Sequence, residues 1–134
     1  MRGLKIIVDS GIIAGHLTSK GSQPSALRLL MKRFFCYTTV FNAVELFALC
    51  SSDREYNAVE NVLQSMKVLG LNAKSGKAIG LSFGAHRQSS PMNLLIAGLC
   101  RESRLPLVTD REKAFRGMTG LDVRNVSQVL KSKE

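Results

Sequence analysis

The chain has 134 residues, 45% of them hydrophobic and 22% charged, and its 19 lysines and arginines against 10 aspartates and glutamates give a formal net charge of +9. That length suits one domain spanning residues 1–134, and the balance excludes an intrinsically disordered chain. The positive excess makes nucleic acid or an acidic protein the natural partner, although charge of this sign also serves solubility alone.

Leu4 to Val8 is a branched apolar run ending at Asp9 and Ser10, the pattern of a buried strand. Its charges argue against a signal peptide or membrane span. Ser25 to Phe35 spaces Leu27, Leu30, Met31 and Phe34 at helical intervals, with Arg28, Lys32 and Arg33 between them. Cys36 to Phe41 is β-branched and aromatic, and Asn42 then opens a helix through Leu49. Ser51, Ser52 and Asp53 cap a further helix carrying Ala58, Val59, Val62, Leu63 and Met66. Lys67 to Leu71 reads as extended.

Asn72 to Gly84 is a glycine-interrupted helix, followed by a polar loop from Ala85 to Ser90. Pro91 starts the helix Met92 to Glu102, where its missing amide hydrogen does no harm. The last unit is a strand from Leu105 to Thr109, a short helix from Glu112 to Met118, a turn at Gly120 and a strand from Leu121 to Val126. Lys131, Lys133 and Glu134 read as a frayed tail. Strands separated by helices of this length imply an α/β fold, a central, mainly parallel sheet of four to five strands between two helical layers.

Some chemistries drop out. Cys36, Cys50 and Cys100 are an odd number at wide spacing inside apolar stretches, so they read as reduced core thiols and, with the missing export signal, favour the cytoplasm. His16 and His86 stand far apart and are expected to face solvent, which leaves zinc without a ligand set. No phosphate-binding glycine loop is present.

Carboxylates are the informative residues. Asp9 and Asp110 each follow a strand directly, at the carboxyl edge where parallel sheets carry their active residues. Glu45 lies about one turn into the helix after the second strand, among apolar neighbours that make an unpaired charge costly. Converging carboxylates repel one another, and a hard cation such as Mg²⁺ or Mn²⁺ would relieve them, polarise a phosphate and activate water. Taken singly, each has a plain structural reading as a turn or helix residue. The basic residues Arg28, Lys32, Arg33, Lys74, Lys77, Arg87, Arg101, Arg104, Arg111, Lys113 and Arg116 are spread along the chain, and several could rim one groove.

The succession Lys5-Ile6-Ile7-Val8-Asp9-Ser10, Thr39-Val40-Phe41-Asn42-Ala43-Val44-Glu45-Leu46, Asn93-Leu94-Leu95-Ile96-Ala97 and Leu107-Val108-Thr109-Asp110, with Phe115 and Gly120-Leu121 following, resembles the PIN-domain family. It is most similar to the VapC-like toxins of toxin–antitoxin pairs, over residues 4–126. The resemblance implies a Mg²⁺- or Mn²⁺-dependent endoribonuclease of compact α/β/α fold, usually a homodimer, that cuts structured transfer or ribosomal RNA and is inhibited by an antitoxin protein. By motif position, Asp9, Glu45, Asn93 and Asp110 are the catalytic set. Asp9, Glu45 and Asp110 would hold metal, with Asn93 as an optional further ligand, and Ser10, Thr39 and Glu112 would support them. The last acid is open between Asp110 and Glu112, because the family's acid often falls where this chain has Arg111. Gly11 is a smaller departure, at a position where the family often has a polar residue.

Asn93 stands where the family pattern has aspartate. An amide oxygen still coordinates metal but brings no charge and cannot act as a base. A natural weak enzyme, a natural inactive relative and a deliberate replacement are all open, as is a plain helix-capping role for Asn93. The alternative function is a non-catalytic PIN-like module that binds RNA or an antitoxin-like protein.

Overall fold

The computed structural model describes residues 4–86 and 89–131, which leaves Arg87 of the basic set, part of the expected polar loop, and Lys133 and Glu134 outside it. Five strands, β1 Lys5–Val8, β2 Phe35–Thr39, β3 Lys67–Leu69, β4 Leu107–Val108 and β5 Val123–Arg124, form one sheet in the order β3-β2-β1-β4-β5. Every neighbouring pair is parallel: Ile6 lies opposite Cys36, Ile7 opposite both Tyr37 and Leu107, and Val8 opposite Val108. The helices are α1 Ser10–Leu17, α2 Ala26–Met31, α3 Val40–Ala48, α4 Asp53–Gln64, α5 Ala73–Ala85, α6 Pro91–Ser103 and α7 Val126–Lys131.

The alternation of β1 divides the core in two, because successive side chains of a strand leave opposite faces. Ile6 and Val8 pack with Ile13 of α1, Leu27 and Leu30 of α2, Val59 of α4 and Val129 of α7. Ile7 packs on the other face with Leu94, Ile96, Ala97 and Cys100 of α6 and with Phe115. Helices therefore cover both sides of the sheet, as an all-parallel sheet requires. Against α6, helix α5 comes so close at Gly98 that an added Cβ would overlap the side chain of Ile79.

Several boundaries differ from the sequence reading. Helix α1 was not foreseen: Gly11 and Gly15 interrupt a short, almost wholly apolar segment, so it shows no helical stripe. The second strand stops at Thr39 and α3 starts at Val40, because Thr39 and Asn42 form a capping box. Asn93 is not a cap; Ser90 precedes α6, Pro91 opens it, and Asn93 lies in its first turn. The strand expected over Leu105 to Thr109 shrinks to two residues, and the helix expected over Glu112 to Met118 is a 3-10 turn, Glu112–Phe115. The strand expected to reach Val126 ends at Arg124, and Lys131 of the expected frayed tail ends α7. His16, expected in solvent, is half-buried and sits 2.7 Å from the hydroxyl of Ser25.

Among the described residues no helix is long and apolar enough to cross a membrane. Cys36, Cys50 and Cys100 are free thiols, and burial pushes Cys36 up to about 11.

Candidate functional site

The chain leaves β1 toward one side of the sheet to make β2, while β4 lies on the other side of β1. The carboxyl ends of β1 and β4 therefore border a switch point, the place where such sheets bind ligands. Asp9 follows β1 there and Thr109, Asp110 and Arg111 follow β4, with the backbone amide of Asp9 donating to the Val108 carbonyl at 3.0 Å. The start of α3 brings Asn42 and Glu45 to the same place from the end of β2.

Asp9 is fully buried, and both of its oxygens are occupied. Oδ1 accepts from the Ser10 amide at 3.0 Å, Asn42 Nδ2 at 2.8 Å and Arg111 Nη2 at 3.1 Å. Oδ2 accepts from the Thr109 hydroxyl at 2.7 Å and Arg111 Nε at 2.7 Å. Burial pushes this carboxyl up, but the hydrogen bonds from Arg111 and Thr109, the Arg111 charge and the Ser10 amide outweigh it and hold Asp9 below its ordinary 3.8. Arg111 is raised in turn, first by its hydrogen bond to Asp9, then, against the cost of its own burial, by the charges of Asp9 and Glu45.

Glu45 completes the cluster, its side chain 24% exposed. Its Oε1 accepts from the Ser10 hydroxyl at 2.6 Å and from Arg111 Nη2 at 3.3 Å, and Oε2 lies 3.4 Å from the same nitrogen. Thr39 acts one step removed: its hydroxyl donates to Asn42 Oδ1 at 2.7 Å, which turns the amide nitrogen of Asn42 toward Asp9. Arg111 is anchored from both ends, its amide donating to Thr109 Oγ1 at 3.0 Å and its guanidinium lying 5.3 Å from the ring centre of buried Phe115.

The other expected site residues stand apart from this network. Asp110 is exposed and its carboxylate lies over Gly11, where an added Cβ would overlap it. Glu112 accepts from Asn125 Nδ2 at 3.2 Å, on the side toward β5 and α7. Asn93 is half-buried at the start of α6, and no hydrogen bond joins it to Asp9, Glu45 or Arg111. Arg111, Asn42 and Thr109 are the members that sequence reasoning did not place; the one signal was a basic residue at a position where an acid was sought.

A divalent ion does not fit this arrangement. A carboxylate offers about four lone-pair sites, and Asp9 already takes five donors. Among the described residues no three of His, Cys, Asp and Glu stand together as a metal-binding group. The cation between the two carboxylates is the guanidinium itself.

Beside Glu45 and Arg111 a groove of about 460 Å³ opens between α1 and α3, walled by Gly11, Ala14, Leu46, Ala48 and Leu49. Leu49 is 78% exposed, and the groove is continued by an apolar hollow toward Val59 of α4.

No family model matches the sequence, and no curated protein matches it. Solved structures do match. A chain of the DNA-bound VapBC from Salmonella typhimurium is 18% identical, with a TM-score of 0.77 over 92% of this chain and 98% of that one. VapBC2 from Rickettsia felis, bound to a DNA fragment from its promoter, is 19% identical, with a TM-score of 0.76 over 91% and 98%. VapBC-1 from nontypeable Haemophilus influenzae is 16% identical, with a TM-score of 0.75 over 92% and 99%. The sheet order, the helices on both faces and this near-complete overlap give the chain the PIN-like α/β/α fold of these VapBC toxin–antitoxin structures.

Proposed function

We propose that this chain is the toxin-type member of a toxin–antitoxin pair and works by binding an antitoxin-type protein along the groove between α1 and α3. The observation that carries this reading is the groove itself, an apolar channel that runs straight into a charged end formed by Glu45 and Arg111. An amphipathic segment suits such a channel, its apolar side on Ala14, Leu46 and Leu49 and a polar residue against the charges. Several solved structures that share the fold are VapBC complexes, which supports the choice of partner.

The test is co-expression with the product of a small open reading frame beside its gene. A stoichiometric complex that Leu49→Arg disrupts without unfolding the chain is expected. A genome with no such neighbour, or a complex indifferent to Leu49→Arg, would overturn the reading.

A second reading is favoured by one observation, the meeting of Asp9 and Glu45 at the carboxyl edge of the sheet in a chain of net charge +9. It is cleavage of structured RNA, such as transfer or ribosomal RNA, with a Mg²⁺ or Mn²⁺ ion that would have to displace Arg111 from the two carboxylates. Incubation of the purified chain with total RNA separates the two. Cleavage in Mn²⁺ that EDTA and Asp9→Ala abolish supports the nuclease; retention of intact RNA that fades as salt rises supports binding alone.

A further inference from the structure

We infer that Arg111 is the resident counter-cation of the acidic pocket, so that the pocket takes no divalent metal. This goes beyond the choice of partner, and although Glu45 and Arg111 also border the groove, it stands on their pairing with buried Asp9 and not on the apolar walls. Two carboxylates close together need positive charge between them. A bidentate guanidinium supplies it: Nε and Nη2 of Arg111 hold the two oxygens of Asp9, and Nη2 also reaches both oxygens of Glu45.

The surroundings are built for that fork and not for an ion. Thr109 holds the backbone of Arg111 and the carboxylate of Asp9 with one hydroxyl, accepting from the first and donating to the second. Phe115 supports the guanidinium from below. A hard dication such as Mg²⁺ takes about six oxygen ligands, waters among them, and is held by one or two carboxylates with free lone pairs. The bonds from Arg111, Thr109, Asn42 and Ser10 do not leave these on Asp9. Here the further carboxylates point elsewhere, Asp110 over Gly11 and Glu112 to Asn125, and Asn93 carries no charge.

Entry of a metal would require Arg111 to leave Asp9, give up its place over Phe115 and remain nearby as a repelling charge. Lowering the pH does not help, because a guanidinium keeps its proton throughout the range in which the protein is folded.

The experiment follows Mn²⁺ by electron paramagnetic resonance as it is added to the intact wild-type chain, with the Nε–Hε resonance of Arg111 recorded by NMR in parallel Mg²⁺ additions. No saturable Mn²⁺ binding up to millimolar concentration is expected, and an Arg111 resonance that Mg²⁺ leaves unmoved. The doubly substituted Arg111→Asp, Asn93→Asp chain is expected to gain saturable binding, lost again when Asp9→Asn is added. Saturable binding of one Mn²⁺ by the wild type, abolished by Asp9→Asn and accompanied by a shift of the Arg111 resonance, overturns the inference. Both wild-type measurements stand even where a substituted chain fails to fold. Retention of the partner protein is a separate readout, so failure here leaves the groove reading intact.

Discussion

Arg111 grips Asp9 with two hydrogen bonds, Nε to Oδ2 at 2.7 Å and Nη2 to Oδ1 at 3.1 Å, although 102 residues separate them in the chain. The Asp9 side chain is fully buried and that of Arg111 is 34% exposed, so the pair lies at the floor of the pocket with one side open to water. Its energetics follow from that asymmetry, because the buried partner cannot recover solvation if the exposed one is removed.

Arg111→Met should therefore destabilise the fold by about 2 kcal/mol at neutral pH, less than the full penalty for breaking a buried pair, since Thr109, Asn42 and Ser10 still serve the Asp9 carboxylate. Urea unfolding of both proteins measures the difference. The deficit should shrink on acidification, because the orphaned buried carboxyl takes up a proton more readily than the paired one. A deficit that grows on acidification would show that Arg111 does not hold the Asp9 charge.

Asp9 itself should govern the acid limb of stability. Its folded-state value lies below the ordinary 3.8, so its contribution is complete above that pH and is lost as pH falls through the lower folded value. The wild type should thus lose stability steeply below about pH 4, whereas Asp9→Asn should start lower and fall less. Urea midpoints across the acid range test this, and parallel curves for the two proteins would refute it.

At Gly98 helix α6 lies close against α5, with Ile79 where a methyl group would go. Gly98→Ala improves helix propensity but overpacks this contact, so a net loss of about 1 kcal/mol is expected. Pairing it with Ile79→Val should recover part of the loss, and thermal melts of the single and double variants decide whether the two positions are coupled.

Arg104 ends α6 with φ 59° and ψ 36°, a left-handed conformation that costs a side chain more than it costs glycine. Arg104→Gly should stabilise the chain by about 0.5–1 kcal/mol, read as a higher urea midpoint at unchanged slope. A loss would mean that the Arg104 side chain makes contacts worth more than the backbone strain.

Much of the fold was legible because its signals are local. The buried run ending at Asp9, the Pro91 start of α6 and the strand after Gly120 each rest on neighbouring residues. Helix α1 was lost because two glycines and an all-apolar face erase the helical stripe. The pocket was half legible. Asp9 and Glu45 could be set at one edge by counting strands, but which cation meets them depends on the lateral position of β4 beside β1, which places Arg111 over Asp9 and turns Asp110 outward. Glu112 was weighed, from the resemblance, as a substitute for an acid at the position of Arg111, yet its carboxylate accepts from the Asn125 side chain. Pairing of residues so distant in the chain leaves no trace in composition or spacing.

The same remoteness sets an order of events during synthesis. When β1 and α3 have left the ribosome, the segment that carries Arg111 has not yet been made. The guanidinium reaches Asp9 and Glu45 only once β4 has been made and docks beside β1, so this corner cannot close until most of the chain has been synthesised.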